Sequence, residues 1–550
     1  MVMQHMSTET QGVTVIDKAS GRIEWGAGVG SAWSRVPEKG IIALVHSAAV
    51  RDPEAIALTF ENGLEVTRKE LADRVEQFAG FLSEKIQPGD RVAIVLGNRA
   101  EFMVAWLGTI AARGVAVLVN PGVQTQDGVH ILRDSRAVIA VVTSSATVAF
   151  AAIRAECPGL SMVLEVEVAE PDGLASYAGK EPVKLADFRS CPSTEVTVSY
   201  TSGTTGLPKA CVLTNRLWLR YVDVNLRTAD WGQAPVALCC LEMAYGDPLW
   251  IFLTALQANG SMVVMRKFSV SRFWQVVRNH QVSVIVGIGA IPNLLLTADP
   301  HPLEKEHSVK FGIQVAIPTQ SHLQLVERFG FPWLDVFGLT ESGPAVGVPI
   351  DIADDVVGSG TMGIPFPEVD AEIVDDRGDP IVGPGTGELI LRCPGMFAGY
   401  ENRAEATAEM LQGGWLHTGD VVERDARGLY YHLRRNKDVI RRSGSNIAPA
   451  EVEEVLRQHP DIAQAAVVPV EDDLRGQEAK AYVQLKSATA DFDPRKLVDF
   501  CAERLLDYKV PRYIEVRTED FPMTLSMRIP KAQLMVGGRH RTEAAWDREA

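Results

Sequence analysis

Val196-Thr-Val-Ser-Tyr-Thr-Ser-Gly-Thr-Thr-Gly-Leu-Pro-Lys209 is the stretch on which the reading of this chain turns. Its β-branched residues predict a strand as far as Tyr200, and the strand runs into a loop of hydroxyls and glycines that ends in lysine. Gly203 and Gly206 let the backbone turn and bring its N–H groups close to an anion. Ser202, Thr204 and Thr205 supply hydroxyl donors, and Lys209 adds charge. This is phosphate-binding chemistry. It is not the G-x-x-x-x-G-K-[ST] loop, because Pro208 precedes the lysine and Ala210 follows it.

Upstream, helical and strand patterns alternate. The spacing predicts helices over Lys69–Ile86 and Ala100–Arg113 and strands over Asp90–Leu96 and Ala116–Asn120. Downstream the alternation returns, with helices Phe273–His280 and His322–Phe329 followed by strands Val282–Ile288 and Trp333–Phe337. Such βαβ order predicts an α/β fold with mostly parallel sheets covered by helices. From about Pro367 the pattern becomes short strands separated by turns such as Asp375-Asp-Arg-Gly378 and Asp425-Ala-Arg-Gly428, which predicts a separate β-rich subdomain. The charged run Arg434–Arg442 then precedes a small α+β unit. In it, Pro449–His459 and Pro494–Leu506 read as helices, and Ala463–Pro469 and Lys480–Lys486 as strands. The expected organisation is a large N-terminal lobe, 1–434, of layered α/β subdomains plus the β-rich subdomain, and a small mobile C-terminal domain, 435–550.

A chain of 550 residues, 46% hydrophobic and 23% charged, has the balance of a globular protein that buries a substantial core without staples. A net charge of −16 with no segregated basic face argues against a nucleic-acid partner. Seven cysteines without C-x-x-C spacing read as reduced core thiols, and Met1–Thr10 lacks the pattern of a signal peptide, so a cytoplasmic location is expected. The apolar stretch Met103–Val119 is short for a membrane span and carries Arg113, which favours a buried helix–strand pair.

Further motifs follow the loop in order: Phe337-Gly-Leu-Thr-Glu341, Gly387-Glu-Leu, Gly399-Tyr400, Trp415-Leu-His-Thr-Gly-Asp420, and Arg435-Asn-Lys-Asp438 running into Gly444-Ser-Asn-Ile447. With the loop they resemble the adenylate-forming acyl-CoA synthetases, a family that includes firefly luciferase and the adenylation domains of peptide synthetases. The resemblance covers about residues 40 to 535. It implies an acid–thiol ligase that joins a small-molecule carboxylic acid to ATP, giving acyl-AMP and diphosphate, and then lets coenzyme A displace AMP.

By the same resemblance, Thr201 to Gly206 and Lys209 hold phosphates, and Thr340 contacts the AMP phosphate and the acyl carboxylate. Glu341 is the Mg²⁺ ligand, Asp420 and Arg435 bind the ribose, Lys437 is the hinge of the rotating C-terminal domain, and Gly444 lies on the CoA-facing surface. An enzyme loading a carrier protein and a catalytically weak nucleotide-binding relative are the alternative readings. A homodimer is compatible with the sequence but not required by it.

Three segments depart from the family pattern. Where the family carries a lysine that bridges carboxylate and α-phosphate, this chain reads Pro522-Met-Thr-Leu-Ser-Met-Arg528-Ile-Pro-Lys531. Either Arg528 acts as a weaker cation or Lys531 substitutes. At the aromatic gate it reads Leu241-Glu-Met-Ala-Tyr-Gly246, which assigns Met243, Tyr245 and Gly246 to the acyl pocket. Glu242 and Asp247 either face a cationic or hydroxylated substrate, as in the carnitine and crotonobetaine ligases that the chain resembles, or face solvent. Beside the adenine, Val315-Ala-Ile-Pro318 replaces Gly-Gly-Ala-Pro, and the larger side chains are expected to narrow that wall.

Overall fold

Near-continuous apolar runs such as Arg91–Val95 and Val115–Leu118 are buried along both faces, the signature of parallel strands covered on each side. They lie in the first sheet of a computed structural model that describes residues 14–16, 23–25, 40–123, 125–144, 147–167, 173–201, 208–288, 291–317, 319–435, 440–442, 445–472, 474–486, 492–523, 529–535, 542 and 544–549. Arg91–Val95 runs parallel to Val115–Leu118 on one side and to Ile139–Thr143 and then Met162–Val166 on the other. Glu195–Thr201 joins in parallel beyond Val115–Leu118, and Lys209–Thr214 returns antiparallel to it. The two-residue strand Gly399–Tyr400 closes this edge, with Tyr400 opposite Cys211.

The second sheet is parallel from Ile56–Phe60 through Ser261–Val264, Val236–Cys239, Val284–Ile288 and Phe311–Val315 to Trp333–Leu339. There Gly343–Gly347 folds back as a hairpin, and the ladder continues antiparallel through Thr361–Pro365, Tyr430–Arg435, Trp415–Arg424 and Gly385–Arg392 to Asp370–Val374. The β-rich part is therefore not a detached subdomain. The hairpin after Trp333–Leu339 carries hydrogen bonding from the parallel sheet directly into it.

Helices follow the expected pattern with shifted ends: most C-termini stop short, whereas Val270–Asn279 and Thr319–Phe329 begin three residues earlier than the spacing predicts. Arg68–Ser83 starts on a capping box in which the Thr67 hydroxyl accepts from the Glu70 N–H and the Glu70 carboxylate accepts from the Thr67 N–H. Ala100–Ala111 is buried all round, and with Val115–Leu118 it accounts for the apolar stretch as core. No helix of the described residues is long and apolar enough to cross a membrane. Six of the seven free cysteines are buried, but Cys191 is exposed and so is not a core thiol.

The C-terminal unit is a smaller α+β domain. Its long hairpin Ile462–Asp472 with Gly476–Leu485 packs on the helices Pro449–Arg457 and Pro494–Ala502 around its own apolar cluster.

Asn98, just past the end of Arg91–Val95, ties the first sheet to the second. Its amide donates to the carbonyls of Leu241 (2.7 Å) and Met265 (2.9 Å) and accepts from the Met243 N–H (2.8 Å). Asn98→Ala strands these three groups and is expected to cost about 2–3 kcal/mol. The measurement is the denaturant midpoint of the large lobe.

Candidate active site

Asp420 occupies a buried position on Trp415–Arg424, 1% exposed. The preceding turn is fixed from within: Thr418 Oγ1 donates to the Leu389 carbonyl (2.7 Å) and accepts from the Asp420 N–H (3.0 Å), and Glu388 accepts from the Gly419 N–H (3.0 Å). The Gly387-Glu-Leu motif thus anchors the Asp420 turn. Asp420 Oδ1 is met by His432 Nε2 (2.8 Å) and by Arg435 Nε (3.1 Å).

Residues 432 and 435 are an odd number apart, so a regular strand would put them on opposite faces. The register slips here, from Val421 opposite Arg434 to Val422 opposite His432, leaving Leu433 as the extra residue of a bulge. The bulge turns both His432 and Arg435 toward Asp420. Among the described residues, Asp420 Oδ2 is buried without a hydrogen-bond partner. Such an oxygen can accept from a bound hydroxyl.

Thr340 and Glu341 stand at the tip of the hairpin between Trp333–Leu339 and Gly343–Gly347. Glu341 is buried, its backbone carbonyl accepts from the Phe397 N–H (2.8 Å), and its Oε1 accepts from the Tyr400 hydroxyl. Burial and the neighbouring Glu341 charge push the Tyr400 phenol well above its ordinary range, so Tyr400 remains a donor. The Lys209 ammonium lies over the Tyr400 ring, 5.1 Å from its centroid. Lysine, tyrosine and glutamate are therefore assembled at the point where the two sheets meet. Among the described residues there is no cluster of three or more ligands that would cage a metal. A single carboxylate is nevertheless the donor set expected for Mg²⁺ carried mainly by phosphates and water, and Glu341 fits that role.

The loop before Asp247–Gln257 places the other assigned residues. Met243 is buried in the main core, Tyr245 is half-buried with a buried hydroxyl that has no partner among the described residues, and Gly246 caps the helix at φ +89°, a conformation that favours glycine. Tyr221 stacks on Trp250 (5.8 Å, 8° between planes) and contacts Trp218 (6.0 Å), and Trp250 Nε1 donates to Asp247 (3.1 Å). Burial raises the Glu242 carboxyl above its usual range, opposed by Lys267.

In the segment Val315–Ile317, Ile317 is buried in an apolar cluster with Leu325 and Phe331. Ala316 has φ +60°, and its N–H and that of Ile317 are both held by Asp335 (3.1 and 2.9 Å). Burial pushes Asp335 up to about 7 against these bonds and the charge of His432.

Thr201 closes the strand that leads into the loop. Ser202, Gly203, Thr204, Thr205, Gly206, Lys437, Gly444 and Arg528 lie outside the described residues. Lys531 is paired with Glu453 (2.7 Å) inside the C-terminal domain. Sequence reasoning missed His432 and Asp335, and it took Tyr400 only as part of a motif. No spacing signal marks His432, because the bulge that brings it to Asp420 is a property of the strand pair.

Asp335 gives a pH test. Its folded value lies above the unfolded carboxyl value of about 4, so the folded state holds the proton longer. The stability it contributes is complete below about pH 4 and is lost as pH rises to about 7. Asp335→Asn is expected to flatten this fall, read as thermal midpoints measured between pH 5 and pH 7.5.

Known proteins match this chain along most of its length. The family model "AMP-binding enzyme" matches residues 45–401, and "AMP-binding enzyme C-terminal domain" matches 451–528. A crotonobetaine/carnitine–CoA ligase of Escherichia fergusonii is 28% identical over 476 residues, covering 82% of this chain and 90% of its own length. The o-succinylbenzoate CoA synthetase of Bacillus subtilis, solved with its acyl-adenylate intermediate, is 27% identical with a TM-score of 0.78, covering 90% of this chain and 98% of its own. An amide bond synthetase of Marinactinospora thermotolerans shares the fold at a TM-score of 0.77 and 23% identity, covering 90% of this chain and 99% of its own. With the family model spanning well over half of its residues, the chain belongs to the AMP-binding enzyme family, the adenylate-forming ligases.

Proposed function

We propose that the protein is an AMP-forming acyl-CoA synthetase, and the observation that carries this is the partnerless Oδ2 of Asp420, fixed beside Arg435 and His432. In this reading Asp420 accepts from the ribose hydroxyls and Arg435 reaches the same sugar. Thr201, Ser202, Gly203, Thr204, Thr205, Gly206 and Lys209 cradle phosphates, and Thr340 orients the α-phosphate and the acyl carboxylate. Glu341 would hold Mg²⁺, which, when bound, neutralises phosphate charge.

The acid's carboxylate oxygen attacks the α-phosphorus, the bond to the β-phosphate oxygen breaks, and diphosphate leaves. The thiol of CoA, as thiolate, then attacks the acyl carbonyl and AMP leaves with the electron pair of the C–O bond. Lys209 and Arg528 lower the repulsion between the two anions in the first step. Arg528 is favoured over Lys531 because Lys531 is engaged by Glu453. The boundary between lobe and domain falls after Arg434, with Lys437 as hinge and Gly444 on the CoA side, so that the domain turns between half-reactions. The location is cytoplasmic.

For the acid, the relatedness to crotonobetaine/carnitine ligases and the ring series Trp218, Tyr221 and Trp250 ending at Asp247 support a small carboxylic acid with a cationic head group. Met243, Tyr245 and Gly246 form the wall of that pocket.

The deciding experiment is diphosphate release from ATP across short-chain, aromatic, betaine-like and sterol-side-chain acids, with and without CoA. Release with betaine-like acids, accelerated by CoA, is the expected result. Release that CoA does not accelerate points to a carrier protein or an amine as acceptor. Silence over the panel, with ATP bound, refutes the synthetase reading. Asp420→Ala is expected to weaken ATP binding by about 10- to 100-fold, the loss of hydrogen bonds to a charged group. Calorimetry with ATP measures it, and unchanged affinity refutes the ribose role.

A further inference from the structure

Helix Asn215–Thr228 carries a fully buried arginine that the chemistry above leaves unused. Arg220 is 0% exposed, and its guanidinium donates through Nη1 to the Ser342 carbonyl (2.6 Å) and through Nη2 to the Pro344 carbonyl. These two carbonyls flank Gly343, the first residue after the Thr340-Glu341-Ser342 tip. Gly343 has φ +64°, and a Cβ there would lie 2.9 Å from Leu217 and 3.2 Å from Tyr221, so the hairpin backbone rests directly on the helix.

A buried charge is costly, and an apolar side chain would fill this space without that cost. What only arginine supplies is a rigid fork whose two N–H groups reach carbonyls two residues apart and fix the peptide planes on both sides of Gly343. We propose that Arg220 is the positioning residue of the catalytic hairpin, setting the orientation of Glu341 toward the metal that accompanies ATP. This rests on the Mg²⁺ role assigned to Glu341 under the proposed function. Lysine at 220 would supply a point donor in place of the fork, and the tip would lose one of its two fixed planes.

The same helix provides a control. One and two turns further on, Asp223 and Arg227 pair at 2.8 Å, and Arg227 also reaches Glu368 (3.4 Å). Arg227→Lys keeps the positive charge beside Asp223 and removes no donor of the fork.

The test reads nucleotide-induced thermal stabilisation as Mg²⁺ is titrated at fixed ATP, with AMP in the absence of metal as reference. For Arg220→Lys, the Mg²⁺ needed for half of the ATP response is expected to rise about tenfold, as for other residues that orient a metal ligand. The AMP response, which depends on Asp420, is expected to stay. Diphosphate release is expected to slow about 10- to 100-fold. Gly343→Ala, which lifts the hairpin off the helix with Arg220 intact, is expected to give the same Mg²⁺ shift, and it carries the test if Arg220→Lys does not fold. Arg227→Lys is expected to leave the Mg²⁺ midpoint unchanged. An unchanged Mg²⁺ midpoint in Arg220→Lys or, where that variant does not fold, in Gly343→Ala overturns the proposal. So does loss of the AMP response along with that of ATP, or an equal shift in Arg227→Lys. A wild-type chain that answers neither nucleotide refutes the proposed function itself, and this inference with it.

Discussion

The hydrogen bond from Tyr400 to Glu341 is the contact on which the site depends, because it joins two sheets that no strand pairing of the described residues connects. Tyr400 belongs to the edge of the first sheet, where its two-residue strand pairs with the one that starts at Lys209. Glu341 belongs to the tip of a hairpin in the second. Neither residue would face the other without the strand Gly399–Tyr400 returning to pair with Lys209–Thr214, almost two hundred residues after it in the chain. A buried carboxylate needs a partner, and a tyrosine whose phenol is pushed up by burial is a stable one, since it holds its proton beside the negative charge. The Lys209 ammonium over the same ring adds positive potential without forming an ion pair that would occupy Glu341. The arrangement leaves both charges available at one point of a chain whose net charge is −16.

Much of the fold was legible because its signals are local. Parallel strands buried on both faces read as apolar runs, and the helices between them read by their 3.6-residue period, so Arg91–Val95 and Arg68–Ser83 fall where the pattern puts them. The β-rich part was legible as strands and turns but not as a continuation of the second sheet. Continuity there is decided by one hairpin, Trp333–Leu339 with Gly343–Gly347, and pairing partners have no local signal.

The site shows the same division. Asp420 and Arg435 stand out in the sequence because one closes a motif and the other opens the next, yet His432, which holds the same carboxylate oxygen, does not. Its approach requires Leu433 to be looped out of register, and that depends on which residues of the facing strand take the hydrogen bonds. Cys191 is a further example. Composition assigned all seven thiols to the core, but only tertiary packing decides that this one, in the turn before Glu195–Thr201, stays at the surface.

The departure Val315-Ala-Ile-Pro318 acquires a physical reading once Asp335 is included. A residue with a Cβ at φ +60° costs about 1–2 kcal/mol, which is why glycine is the economical choice at such a position. Here Ala316 is kept in that conformation by a carboxylate that takes its N–H and the next one together. Ile317 is buried in the cluster of Leu325 and Phe331, and that burial offsets the strain by about 1.5–3 kcal/mol. The larger side chains pack on that cluster and hold a backbone shape that glycines would reach freely. Because the conformation depends on Asp335, Ala316 and Ile317 acting as a unit, replacing Ala316 by glycine alone relieves the strain and leaves the shape intact. Removing Asp335 alone leaves only the burial of Ile317 to offset the strain.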